Sequence, residues 1–436
     1  MIIPEHIAPV GIGTYRMRAG DETHQQALLT ALRAGYNLVD TATNYQQGAS
    51  ELLIGQILEG HPEIAEHAFI VSKTGYIPSE AKMDAEMKDW LSRNSITKAR
   101  LGDDFYYSID PQFISFQLDR SLQRLGLSTL DCYLLHNPER YLQSSNLNTE
   151  EILYNSIEAA FVLLEEKVKE GKIRYYGISS NTLFYPEKAG SIDLRKILDI
   201  AASVSKTHHF RFIQFPYNFL EKAASEPTYD GKSLLEIAKS NGCITIGNRP
   251  LNMDENGMEF RLSDRKTAPR VPDNVEYQTT ANQFYDWLEV RVHELTEGNS
   301  KADDFEPVMT LKALGTSFQN PQAVTSFFEN QLEPFLSVIA TEGDPALQVV
   351  ETLQQHLIDY AEHRHYEKSR DFLKQLKING VVEQENNALT ACTHYLSGKG
   401  PDHILLGMRK PDYVASLKGQ FTSSLNNNAE SRGDLC

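Results

Sequence analysis

An α/β fold, specifically a TIM-type (β/α)8 barrel with an inserted, mainly helical domain between strands 7 and 8, is what this 436-residue sequence predicts. Three observations carry it. Up to about residue 250, short β-rich runs alternate with segments whose apolar residues recur at helical spacing, the pattern of a parallel sheet covered by helices. The doubly wound alternative announces itself with G-x-G-x-x-G after the first strand, and "GIGTYR" lacks the third glycine. An eighth strand run, "HILLGM" (403–408), closes the count only after about 150 intervening residues, far beyond an ordinary strand-to-helix segment.

The strand candidates run in order "PVGIGT" (9–14), "YNLVD" (36–40), "AFIVSK" (68–73), "LDCYLL" (130–135), "IRYYGIS" (173–179), "FRFIQF" (210–215) and "CITIG" (243–247). Between them lie "DETHQQALLTALRAG", "ASELLIGQIL", "ISFQLDRSLQRLGL", "EILYNSIEAAFVLLEEKVKEG", "IDLRKILDIAASV" and "SLLEIAKSNG". Gly35, Gly171 and Gly242 each follow the last periodic residue of a helix, where a left-handed cap is wanted. The stretch 255–380 shows helical patterns and no convincing strand. The predicted domains are therefore 1–254, the first part of the barrel; 255–384, the helical insertion; 385–422, the last helix, strand 8 and the loop behind it; and 423–436, a polar, disordered tail.

Composition narrows function. Residues 255–380 hold 21 Asp/Glu against 12 Lys/Arg, a net of −9 within a whole-chain net charge of −17. Such acidity argues against gripping nucleic acid, which rests on Lys and Arg displacing counterions from phosphates. The N-terminus has no basic and apolar leader pattern, and no window approaches the length of a membrane span, so a cytoplasmic protein is expected. The four cysteines, Cys132, Cys243, Cys392 and Cys436, form no C-x-x-C pair and suggest neither a disulfide framework nor a metal site. In the insertion His356 and His363 share one helical face but His363 and His365, two apart, point in different directions, and His208 and His209 read as loop residues at the bottom of the barrel. No metal is expected.

In such a barrel, functional side chains project from the C-terminal ends of the strands. Strand ends two, three and four supply Asp40 with Tyr45 just beyond, then Lys73, then His136. Singly, each has a plain structural reading: a turn aspartate, a rim tyrosine, an exposed lysine, a core histidine. Together they make a chemical set. A cation beside a phenol lowers an intrinsic pKa of about 10 toward neutrality, and an aspartate holds that cation in place. A histidine can orient a carbonyl oxygen and donate to it as negative charge develops. The set suits protonating a carbonyl oxygen while a nicotinamide cofactor delivers hydride to carbon, because no side chain supplies hydride.

Here the sequence resembles the aldo-keto reductase family: "GIGTYRM", "AGYNLVDTATNYQQGASELLIGQIL", "FIVSKTG", "LDRSLQRLGLSTLDCYLLHNPE", "GKIRYYGISSN", "FIQFPYN" and "LLGMRKPDYV" occur in that family's order. The resemblance implies an oxidoreductase that transfers hydride reversibly between NADP(H) and an aldehyde, ketone or sugar-like alcohol, with Tyr45 as proton donor, Lys73 and Asp40 tuning it and His136 orienting the carbonyl. It further implies carboxamide contacts from Ser180, Asn181 and Gln214, and contacts to an adenosine 2′-phosphate from Arg409 and Lys410. NAD(H) is the other candidate. Asn248 and Arg249 stand where many members carry an aromatic residue against the nicotinamide, and the frequent Glu–Asn pair for adenine falls on Ser416 and Leu417. The insertion enters where members carry cofactor-covering or substrate-shaping loops, so a lid or a docking surface for a protein partner or a second copy is expected there. The alternative function is a weakly catalytic or non-catalytic regulatory or scaffold subunit that binds cofactor and uses the insertion to hold a partner. Substrate identity is not legible; Tyr76, Trp90, Phe105, Tyr106 and Tyr107 wall the pocket or merely cover the rim.

Overall fold

The computed structural model describes residues 7–423, apart from 256–257, 263–266, 319, 342, 381–386 and 397–399. The tail from residue 424 lies outside the described residues. Residues up to Pro250 and from Ala388 onward form one compact unit, and Leu251–Asn387 form another.

The first unit is a closed barrel of eight parallel strands: β1 (Val10–Gly13), β2 (Leu38–Asp40), β3 (Phe69–Thr74), β4 (Leu130–His136), β5 (Ile173–Ser179), β6 (Phe210–Pro216), β7 (Ile244–Asn248) and β8 (His403–Leu406). Neighbours in sequence are neighbours in the sheet. The circle closes through β1 and β8, with Val10 opposite Ile404 and Ile12 opposite Leu406. Strand interiors are near-continuous apolar runs because both faces are buried. The barrel interior is filled by, among others, Leu38, Val71, Cys132, Leu134, Phe212, Ile246 and Leu405. At Gly177 in β5, a Cβ would sit 1.8 Å from the backbone oxygen of Phe212, so only glycine permits β5 and β6 to approach this closely.

Local chemistry sets the helix ends. Asp21 accepts the His24 N–H at 3.1 Å, and Ser233 and Glu236 form a reciprocal capping box. Gly35, Gly171 and Gly242 have φ of 94°, 75° and 67°, the left-handed conformation expected of them. Cys132 and Cys243 are buried.

The second unit is built on helices Asn274–Leu295, Glu306–Leu314, Pro321–Phe327, Glu333–Ile339 and Ala346–Ile378. Phe284, Leu288, Phe328, Leu332, Leu353 and Leu357 lie at the centre of its own apolar core. It also contains an antiparallel pair, Asn252–Glu255 with Met258–Arg261, which corrects the expectation of no strand there. These strands are four residues each and rich in charge, so their apolar alternation is faint. The Asn256-Gly257 dipeptide between them is a hairpin signal that the helical reading passed over. Among the described residues no helix is long and apolar enough to cross a membrane.

Candidate active site

The C-terminal ends of β2, β3 and β4 bring Asp40, Lys73 and His136 to one mouth, and the short turn Tyr45–Gly48 after β2 returns Tyr45 to them. Lys73 is fully buried, and its ammonium group donates to Asp40 Oδ1 at 2.6 Å, to the Thr41 carbonyl at 2.7 Å and to the Tyr45 hydroxyl at 3.1 Å. Its three donors are thereby used. The Tyr45 ring meets the His136 ring edge-on, with centroids 6.0 Å apart, and meets the Tyr15 ring edge-on at 5.1 Å.

Asp40 is held from both ends. Its Oδ2 accepts from Gln214 Nε2 at 2.7 Å, while Lys73 donates to Oδ1. Both neighbours are donors and neither offers an acceptor for a carboxylic acid proton, so the arrangement favours the ionised carboxylate. Burial pushes the Asp40 carboxyl up, with Lys73 and Gln214 pulling against it. Burial also opposes the charge on Lys73, but Asp40 and Tyr45 outweigh it and leave the ammonium group above its ordinary value. The lysine stays protonated.

Tyr45 departs from the sequence expectation of a phenol lowered toward neutrality. Burial pushes it above its ordinary value of 10.0, with Lys73 pulling down and Asp40 and Tyr15 pushing further up. Lys73 lowers the phenol only relative to what burial alone would give, and the hydroxyl keeps its proton at neutral pH. His136 is held well below 6.5 by burial and by the charges of Lys73 and Arg140. It is a neutral imidazole, which carries one N–H donor. Its Nδ1 is buried without a hydrogen-bond partner.

The residues expected at a carboxamide also gather at the mouth, but they are engaged with one another. Gln214 Oε1 accepts from Ser179 Oγ at 3.1 Å and Asn248 Nδ2 at 3.2 Å. Asn181 Oδ1 accepts from the Arg249 guanidinium at 2.6 Å, and its Nδ2 donates to Asn137 Oδ1 at 3.2 Å. Ser180 is fully buried and its Oγ accepts the Thr182 N–H at 3.1 Å. Past β8, Arg409 is half-buried with Nε lacking a partner, and Lys410 is exposed. Ser416 donates its hydroxyl to the Tyr413 carbonyl at 2.8 Å and Leu417 is fully buried, so both serve the fold.

Several residues at this mouth escaped sequence reasoning. Asn137, with φ of 59°, donates its N–H to the Ser179 carbonyl at 2.6 Å and its Nδ2 to the Tyr76 hydroxyl at 2.7 Å. Glu139 is buried and accepts the Asn181 N–H at 2.9 Å. Their signal was position alone: both lie within three residues of a strand end. The loop aromatics divide. Tyr76 meets His136 edge-on at 5.1 Å and stacks with Phe105 at 5.9 Å, whereas Trp90 stacks on Phe116 at 4.4 Å within a separate cluster that includes Tyr106. Tyr107 is fully buried against Tyr141. Tyr76, Tyr106 and Tyr107 belong to a small sheet, Tyr76–Ile77, Tyr106–Tyr107 and Ala99–Arg100, inside the loop after β3.

The fold and site together are thus an eight-stranded parallel barrel that brings Asp40, Tyr45, Lys73 and His136 to one mouth. The sequence profile of the aldo/keto reductase family matches residues 9–297, and the chain belongs to that family. Among curated relatives, the NADH-specific methylglyoxal reductase of Escherichia coli is 26% identical over 254 residues, covering 56% of this chain and 64% of that protein. Glycerol 2-dehydrogenase (NADP(+)) of Saccharomyces cerevisiae is 27% identical, covering 56% of this chain and 65% of that protein. The chain thus spans somewhat under two thirds of these relatives' length. A solved glycerol dehydrogenase from Gluconobacter oxydans aligns over 99% of this chain and 92% of its own, with a TM-score of 0.50 at 18% identity, a likeness of fold.

Proposed function

We propose that this barrel transfers hydride reversibly between NADP(H) and an aldehyde, ketone or sugar-like alcohol, with Tyr45 giving the proton to the carbonyl oxygen or taking it back. The observation that carries the reading is the Tyr45 hydroxyl 3.1 Å from a buried ammonium group that is itself 2.6 Å from Asp40. As a substrate oxygen takes the phenol's proton, the phenolate that forms is stabilised by Lys73 at no cost in reorganisation, because the lysine is already in place. Asp40 keeps Lys73 charged, and Gln214 keeps Asp40 oriented. Neutral His136 holds the carbonyl oxygen toward Tyr45 through its N–H.

A bound nicotinamide supplies the hydride that no side chain can. The residues present fit such a cofactor best at its phosphate end, where Arg409 offers a buried, unpartnered Nε and a guanidinium fork suits a 2′-phosphate. Asn181 is the residue at the other end best placed to take the carboxamide, by exchanging Arg249 for it. One relative is named for NADH and the other for NADP(+), so NAD(H) stays a candidate for this chain.

The test is a titration with NADPH and NADH followed by nucleotide fluorescence, then a panel of aldehydes, ketones and aldoses followed by loss of nucleotide absorbance. Tyr45→Phe is expected to bind nucleotide within about threefold of wild type and to lose turnover by at least about 100-fold, the scale of general acid catalysis. Undiminished turnover in Tyr45→Phe would remove the proposed role, and failure of the wild type to bind either nucleotide would remove the reading as a whole.

A further inference from the structure

Arg140 stands four residues beyond His136, on the turn Pro138–Tyr141 that follows β4. Its Nε donates to the Tyr76 hydroxyl at 3.2 Å and one terminal nitrogen donates to Gln143 Oε1 at 2.6 Å. Both partners are neutral. Arg140 makes no ion pair with a described carboxylate, although the chain carries 59 acidic residues against 42 basic ones. Adjacent buried Glu139 feels the charge of Arg140 but makes no ion pair with it, accepting instead from the Asn181 backbone. Nor is the guanidinium remote from the chemistry. Its Tyr76 partner lies edge-on against His136, with centroids 5.1 Å apart. The second terminal nitrogen is used in none of these bonds.

The same hydrogen-bonded run continues from Tyr76 to Asn137, from Asn137 to Asn181, and from Asn181 to Arg249. Arg140 is therefore fixed in a polar rim rather than left swinging in solvent. A half-buried guanidinium that is oriented by neutral partners, makes no ion pair with a described carboxylate and lies one tyrosine away from the carbonyl-orienting histidine is a device for a planar or tetrahedral anion. In a protein this acidic, it is not there to raise affinity for anions in general.

Resting on the oxidoreductase reading above, we propose that the carbonyl substrate carries an anionic group, a carboxylate or a phosphate ester, a few bonds from the reacting carbon, and that Arg140 binds it. Arg140 is then the residue that sets substrate class. Tyr76 positions it from one side and Gln143 from the other.

Two matched pairs test this: 4-oxobutanoate against butanal, and glyceraldehyde 3-phosphate against glyceraldehyde. A charge-assisted bond to a fixed guanidinium corresponds to a preference of roughly ten- to hundredfold in kcat/KM for the charged member of at least one pair. Which pair responds tells carboxylate from phosphate. Arg140→Gln is expected to bring that ratio down to within about threefold, and Arg140→Lys to keep part of it. A wild-type ratio near one in both pairs, or a ratio that survives Arg140→Gln, overturns the inference while leaving the oxidoreductase reading intact. Calorimetric titration of the NADPH-mixed protein with butanoate and with inorganic phosphate needs no turnover. Binding that is lost in Arg140→Gln supports the anion site even if no carbonyl is reduced, in which case the oxidoreductase reading is what falls. Absence of binding by both anions to wild type overturns the site.

Discussion

Replacing Lys73 by methionine removes the charge nearest the Tyr45 hydroxyl while keeping most of the side-chain volume. The two groups are 3.1 Å apart. At an effective dielectric near 20, a full phenolate charge at that separation gains about 5.4 kcal/mol from the ammonium group. Asp40 works against it. Its Oδ1 is 2.6 Å from the same nitrogen, so it lies no farther than about 5.7 Å from the hydroxyl, and its repulsion at the same dielectric is at least about 2.9 kcal/mol. The net stabilisation of the phenolate by the pair, which the Asp40→Asn/Lys73→Met double variant loses, is therefore up to about 2.5 kcal/mol, nearly two pKa units or roughly 70-fold in rate, while Lys73→Met alone, with Asp40 still charged, loses up to the whole lysine contribution of about 5.4 kcal/mol. Lys73→Met also strands Asp40 without its partner and is expected to destabilise the fold by about 3–5 kcal/mol. Asp40→Asn with Lys73→Met removes both charges and separates the two effects. The assay is the pH dependence of alcohol oxidation for wild type, Lys73→Met and the double variant, each checked by chemical denaturation. Both variants are expected to lose activity at neutral pH, with the ascending limb moved to higher pH, and the double variant is expected to recover most of the stability. An ascending limb unmoved in a folded Lys73→Met protein would refute the electrostatic account of Tyr45.

Two further expectations concern stability. His136 and His403 are both depressed by burial, His136 well below 6.5, so below that pH the unfolded chain takes up protons the folded barrel refuses. Their contribution to stability is present above pH 6.5 and is lost as pH falls; His136 alone is expected to account for about 1 kcal/mol between pH 6.5 and 5.5, measured as the difference between wild type and His136→Gln in urea melts. Equal pH slopes in the two proteins would contradict it. Glu51 is fully buried on helix Ala49–Gly60, where it accepts from Arg124 Nε at 2.7 Å and from the Ser72 hydroxyl at 2.5 Å. Arg124→Met is expected to destabilise by about 3–5 kcal/mol and Glu51→Gln with Arg124→Met by much less. A single-variant loss under about 1 kcal/mol would show that the pair is not uncompensated when broken.

The sequence by itself determined the barrel. Each strand is a short apolar run flanked by turn residues and each helix carries its apolar stripe, so periodicity alone separates "YNLVD" from "QALLTALRAG". It also determined which ends carry Asp40, Lys73 and His136, because a residue's place along a strand decides at which end of a parallel barrel it emerges. The small sheet after β3 and the pairing of Asn252–Glu255 with Met258–Arg261 were not legible from periodicity, since strands of two to four residues complete no period that a pattern can register, and only the Asn256-Gly257 dipeptide pointed to the second. Tertiary structure alone decided the electrostatics. Whether Tyr45 rises or falls depends on how burial weighs against Lys73, and burial is a property of everything packed around the site. Only the folded chain shows that Gln214 supports Asp40, 174 positions away, that Arg249 occupies Asn181, and that Arg140 is held by Tyr76 and Gln143 with no ion pair to a described carboxylate. Hydrogen bonds across the mouth join residues from different strands, and local sequence holds no record of which polar atoms the barrel's closure will bring within 3 Å of one another.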